Sequence, residues 1–178
     1  MLRVPLDKAH IKRTLRELYS HSASTPSDEM LDASWDRSID IYPGMVAMRV
    51  ASAASGASEY VTLADGTGQA VGLFGTYIAP GYGIDEVADS GVNAVPVWVL
   101  SEASQFEVLA PAFDTGETWT FPTDGTSLLV HFQTTGADRG KLVPAGAANA
   151  STKPVARAIS RPSTDTLIIA GLSVGAAS

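Results

Sequence analysis

The sequence predicts a mainly β protein: a compact β-barrel or sandwich of short strands with an N-terminal helical arm. Among the 178 residues, 16 glycines and 10 prolines are frequent and only 17% of residues are charged, which is typical of chains with many turns and short strands. About ten short apolar segments follow one another at intervals of roughly 8–12 residues, the spacing of strands in barrels and sandwiches. Only near the N-terminus do the apolar residues follow a helical period.

The helical prediction covers residues 5–19. Their apolar side chains recur at the spacing of a helix face, and they are Leu6, Ile11, Leu15, Leu18 and Tyr19. Pro5 suits the first turn of a helix, where its missing N–H would have no partner. Serine and threonine at residues 20–26 compete for backbone hydrogen bonds, which predicts the end of the helix near Ser20. We also expect a short helical turn within residues 27–35.

The predicted β body begins at residue 39, with a strand-to-turn signal, and glycine, proline and aspartate separate its strands. The further predicted strands span residues 45–50, 60–63, 70–74, 95–100, 106–109, 117–121, 128–134, 155–159 and 166–170. The glycine-rich residues 66–72 predict a hairpin turn. Residues 136–153 predict a mobile surface loop, because their central part offers no large side chain to bury.

Charge separates the arm from the body. Residues 1–25 carry five basic and two acidic residues, a net charge of +3, and the other 153 residues carry seven basic and 17 acidic residues, a net charge of −10. An acidic body does not favour nucleic-acid binding, which depends on neutralising phosphates. We therefore divide the chain into a basic helical arm, a linker, a β body and a frayed tail, at residues 1–25, 26–38, 39–172 and 173–178.

Composition also bounds the class of protein. The absence of cysteine excludes a disulfide scaffold, a thiolate metal site and a cysteine nucleophile. No apolar run approaches the roughly 18 residues needed to cross a bilayer, and no signal-like segment opens the chain. We expect a soluble protein that is made in the cytoplasm and has no membrane partner.

The motifs give no catalytic or metal site. Residues 171–175 match the G-x-S-x-G nucleophile motif, but every histidine precedes Ser173, whereas that motif requires a later histidine. His131 is isolated in a predicted strand, where a structural hydrogen bond is the expected role. The acidic residues Asp85, Glu86 and Asp89 lack the pattern of a calcium-binding loop. We therefore expect no enzyme activity, no metal and no cofactor.

Aromatic residues leave one alternative function open. Trp35, Tyr77 and Tyr82 lie in irregular segments, and together at the surface they would form a platform for a sugar ring. The alternative is thus a β-sandwich binding module for a carbohydrate or a cell-surface ligand.

Short turn-and-strand segments resemble those of a known family. The segments are IYPG at residues 41–44, VTLAD at 61–65, AVGLF at 70–74 and RPSTDTLII at 161–169. They resemble the small decoration (cement) proteins of tailed-phage heads. The resemblance implies a compact β-rich virion protein, usually trimeric, that binds outside an assembled shell at local threefold axes and stabilises it. It also implies an N-terminal arm that becomes ordered against the capsid.

The arm is the candidate capsid-binding site. Its apolar residues would enter a groove on the major capsid protein, and its basic residues would meet acidic groups at the rim. The residues are Ile11, Lys12, Arg13, Leu15, Arg16 and Leu18. Apolar strand residues of the β body would form the shared surface of a homotrimer, because the low charge leaves weakly polar surface to cover. Three arms would then bind together, with a high effective concentration.

Overall fold

The computed structural model describes residues 14–19, 27–32, 39, 41–50, 60–75 and 94–172. These residues form eleven β-strands and no helix, which confirms the prediction of a mainly β protein. In chain order the strands are β1 (Leu15–Tyr19), β2 (Ser27–Leu31), β3 (Val46–Val50), β4 (Tyr60–Leu63), β5 (Ala70–Phe74), β6 (Ala94–Trp98), β7 (Gln105–Leu109), β8 (Leu128–Phe132), β9 (Leu142–Pro144), β10 (Ala156–Ser163) and β11 (Thr166–Gly171). No helix in these ranges is long and apolar enough to span a membrane.

The strands form two sheets. Five of them close into a barrel in the order β2-β4-β3-β5-β6, and the other six form an open sheet in the order β1-β7-β11-β10-β8-β9. The open sheet is antiparallel throughout. The barrel contains one parallel pair, because β2 runs parallel to β4 and antiparallel to β6. Closure leaves the barrel without edge strands, the part of a sheet that most readily pairs with other chains.

The prediction of an N-terminal helix is wrong for residues 15–19, the part of it that the structure describes. Residues 15–19 form β1, which pairs antiparallel with β7 and places Leu15 opposite Val108. Leu15 is only 6% exposed, and its burial outweighs a helical period that is marginal on its own. A register shift between Glu17 and Tyr19 interrupts the strand pairing at Leu18, so the spacing of Leu15, Leu18 and Tyr19 occurs here in an irregular strand. The arm before Thr14 lies outside the described residues.

The helical turn expected within residues 27–35 is also wrong for residues 27–31. They form β2, which fills the gap between β4 and β6 and so closes the barrel. Leu31 is buried at 3% exposure. Glu29 accepts a hydrogen bond from Arg49 of β3 at 3.0 Å, which joins β2 to a strand that is not its neighbour.

Three further expectations are corrected. Residues 66–72 do not make a hairpin turn, because the last three belong to β5 and because β4 and β5 lie on opposite sides of β3. Residues 117–121 form no strand; Trp119 instead packs edge-on against Phe113, and its Nε1–H donates to the Asp114 carbonyl. The loop expected at residues 136–153 contains β9, whose first two residues are fully buried.

A short segment at residues 43–46 joins the barrel to the open sheet. The Gly44 N–H donates to the Phe74 carbonyl of β5 at 2.7 Å, and the Val46 N–H donates to the Gly140 carbonyl at 2.8 Å. Gly44 has a φ of +100°, and a Cβ there would lie 2.9 Å from Val108 Cγ1 of β7. One hydrophobic core therefore extends from the barrel into the open sheet.

We predict that Gly140→Ala destabilises the fold more than Gly125→Ala. Both glycines have nearly the same positive φ, +82° and +83°, so both alanines carry a conformational cost of about 1–2 kcal/mol. Only the Gly140 Cβ would meet a buried side chain, Leu63, whose Cγ would lie 2.7 Å away. Overpacking adds about 1–3 kcal/mol. Urea unfolding measures the free energy of unfolding of both variants. Equal decreases for the two would contradict the close packing of Gly140 against Leu63.

We also predict that Thr14→Val lowers the free energy of unfolding by about 1–3 kcal/mol, the cost of a buried acceptor without its donor. Thr14 is fully buried, and its hydroxyl donates to the Pro43 carbonyl at 2.6 Å. Thr118→Val, at an exposed position, is the matched control. A loss no larger than the control's would mean that Thr14 does not anchor β1.

Candidate functional site

The outer face of the open sheet carries exposed apolar side chains. Along β8, Val130 and Phe132 are buried in the core, whereas Leu129 is 37% exposed. On the neighbouring strand β10, Ala156 and Ala158 are buried and Ile159 is 39% exposed. Strand alternation therefore directs Leu129 and Ile159 away from the core. We call Leu129, Arg157 and Ile159 the sheet patch.

A β-bulge lies at Ile159. The register of β10 against β11 shifts between Ala158 and Ser160, so Ile159 is the extra residue of the bulge. Such bulges re-aim side chains and recur beside functional sites. The outward position of Ile159 follows from alternation after the buried Ala158, and the irregular register begins at the same point of the strand.

Arg157 lies at the centre of the patch. It is the register partner of Leu129 on one side and of Ala170 on the other, and it is half-buried. Within the described part of the chain, the Arg157 guanidinium makes no ion pair and no hydrogen bond. Elsewhere on this face, Arg16 of β1 pairs with Glu107 of β7 at 3.0 Å. Among the described residues, Arg157 is thus a positive charge without an ion pair on this face, in a chain of net charge −7.

A groove of about 660 Å³ separates the barrel from the open sheet. The barrel contributes the loop before β5, and the open sheet contributes Phe132 and residues 151–155. The Ser151 hydroxyl donates to the Lys153 carbonyl, and His131 Nδ1 contacts the Ser151 carbonyl at 2.6 Å. His131 therefore does not activate the Ser151 hydroxyl, and this pair lacks the geometry of a nucleophile and its base.

The arm residues divide into three groups. Leu15 belongs to the hydrophobic core, so its side chain does not face an external groove. The Arg16 side chain is 61% exposed and Leu18 is 41% exposed. The other three, Ile11, Lys12 and Arg13, lie outside the described residues. The structure brings Arg16 and Leu18 to the surface of one edge strand.

Several sequence candidates also lie outside the described residues: Trp35, Tyr77, Tyr82, Asp85, Glu86, Asp89 and Ser173. In the described ranges, no group of three or more histidine, aspartate or glutamate side chains is placed to hold a metal ion.

Sequence reasoning missed the sheet patch. The predicted strands at 128–134 and 155–159 contain all three residues, and alternation puts Leu129 and His131 on one face. The sequence carried no signal for the bulge at Ile159, and it did not show that β8 and β10 are neighbours. Both facts depend on the pairing of strands that lie far apart in the chain.

The comparisons with known proteins give one match. A family model described as phage cement protein matches residues 1–177, a range that includes both the barrel and the open sheet. No curated protein and no solved structure matches the chain. The family match confirms the resemblance to cement proteins.

Proposed function

The chain belongs to the phage cement protein family and is a structural component of the virion; on that premise, we propose that it binds the outside of an assembled phage capsid and stabilises the shell. It acts as a homotrimer at local threefold axes, its partner is the major capsid protein, and its role is not enzymatic. The observation that carries this proposal is the family match over residues 1–177, which takes in the arm, the barrel and the open sheet.

Two features of the chain support a role in binding at a capsid surface. The barrel has no open edge, so the edge strands of the described part are β1 and β9 of the open sheet. The acidic body, with a net charge of −10 outside the first 25 residues, disfavours contact with packaged nucleic acid. A capsid exterior is therefore the favoured site.

The arm is the proposed capsid-binding element. Arg16 and Leu18 are exposed on β1, and Ile11, Lys12 and Arg13 precede that strand in sequence. Leu15 would fix the arm to the body, because its side chain is buried next to β7. Basic side chains then meet acidic groups of the capsid, and apolar side chains enter a groove. Such contacts are sensitive to salt.

The experiment is co-sedimentation of the purified protein with undecorated capsids, followed by thermal disruption of the shells. We expect saturable binding and a higher disruption temperature for decorated shells. Absence of binding, or binding that leaves shell stability unchanged, would refute the proposed function.

We predict that Lys12→Glu weakens capsid binding by about tenfold or more at low salt, because an attractive charge becomes repulsive at each arm of a multivalent complex. Lys153→Glu is the matched control, since it makes the same charge change at an exposed lysine of the body. Equilibrium co-sedimentation at two salt concentrations measures both variants. Equal effects of the two substitutions would show that the arm makes no specific contact.

A further inference from the structure

We infer that the sheet patch, Leu129, Arg157 and Ile159, is the surface through which one copy of this chain contacts the next. This inference rests on the homotrimer of the proposed function and goes further, because it locates the shared surface and assigns a role to Arg157.

The position of the patch within the sheet supports the inference. The strands β8 and β10 are internal strands, flanked by β9 and β11. Because Arg157 is the register partner of Leu129, Ile159 stands diagonally across from Leu129, at a separation of about 7–8 Å. Two large apolar side chains on neighbouring internal strands, each more than a third exposed, indicate a face that another protein surface covers.

The central arginine indicates the chemistry of the partner. Arg157 is half-buried, and it makes no ion pair in the described part of the chain. Arginine is enriched in the cores of protein interfaces, where it pairs with carboxylates in fixed geometry. Leu129 and Ile159 beside the unpaired guanidinium of Arg157 would complement a partner surface that offers apolar contact and a carboxylate.

A second copy of this chain supplies that surface. The chain carries 19 acidic against 12 basic residues. The exposed carboxylates of the described part lie outside the patch, and they include Glu17, Glu102, Asp124 and Asp165. The patch is positive and the body is acidic, so the two are complementary in charge.

The positive charge of Arg157 disfavours a twofold contact between two copies of the patch. A twofold contact of the patch with itself would bring two Arg157 guanidinium groups to one interface, where like charges repel. A contact of the patch with an acidic surface of the next copy is heterologous, and such contacts close into a ring when the rotation between copies fits. The homotrimer of the proposed function requires a rotation of one third of a turn between copies.

The test is the mass of the full-length protein in solution, measured by light scattering and analytical ultracentrifugation. The chain has a mass of 18.5 kDa, and we expect the wild type at three times this mass at tens of micromolar. Leu129→Glu and Arg157→Glu should each raise the dissociation constant by about tenfold or more and shift the protein towards monomer. Val99→Glu is the matched control, because Val99 is 56% exposed and lies outside the patch; it should leave the trimer intact.

Circular dichroism and thermal unfolding establish that each variant is folded. Arg157→Gln provides a milder change that removes the charge and keeps a polar side chain, and it should weaken the trimer less than Arg157→Glu. A wild type that is monomeric, or patch variants that remain trimeric while folded, would overturn the inference.

Capsid co-sedimentation of the same variants separates the two proposals. Monomeric Leu129→Glu should still bind capsids through its arm, with lower apparent affinity because the effective concentration of three arms is lost. A wild-type trimer that does not bind capsids would refute the proposed function and leave the inference standing. A Leu129→Glu trimer that loses capsid binding would assign the patch to the capsid and overturn the inference.

Discussion

The segment from Pro43 to Val46 is the constraint on which both sheets depend. Its backbone donates to β5 of the barrel through Gly44 and to Gly140 beside the open sheet through Val46. The Pro43 carbonyl accepts the hydroxyl of Thr14, which immediately precedes β1. Met45, which lies between Gly44 and Val46, is fully buried. The inner faces of both sheets contribute to one hydrophobic core. On the outer face of the open sheet, Leu129 and Ile159 are the exposed apolar residues of the sheet patch.

The sequence predicted the strands that lie close to their partners, or that carry clear turn signals, better than the others. Residues 60–63 and 70–74 were located correctly because Asp65, Gly66 and Gly68 mark the turn between them. The first two strands were not found. The short segments at Leu15 and Leu31 acquire their strand geometry from β7 and from β4 and β6, respectively, and distant pairing of this kind overrides local periodicity.

The candidate binding residues were likewise predictable only where their features are local in the sequence. The basic and apolar character of the arm was evident from composition, and Arg16 and Leu18 are indeed exposed. Burial of Leu15 was not predictable from a helical pattern, because its neighbour Val108 lies more than 90 residues away in the chain. The patch was hidden for a different reason: it depends on the pairing of β8 with β10, which are not consecutive strands, and its leucine and isoleucine are residue types usually found in cores.

The two proposals assign capsid binding to the arm and the contact between copies to the sheet patch. In the proposed account, a basic arm attached through a buried leucine would attract an acidic shell, and an apolar face centred on Arg157 would receive an acidic neighbour. If three copies associate, the effect of each arm would be multiplied, so that modest contacts act together. The first 25 residues carry a net positive charge and the rest of the chain a net negative one.

The most direct test of this account is a cryo-electron microscopy reconstruction of capsids decorated with the wild-type protein. We expect three copies around each local threefold axis on the outer surface. The arm should contact the major capsid protein, and Arg157 should lie at ion-pair distance from a carboxylate of the neighbouring copy. Density on the inner surface, or isolated copies whose Leu129 and Ile159 face solvent, would contradict it.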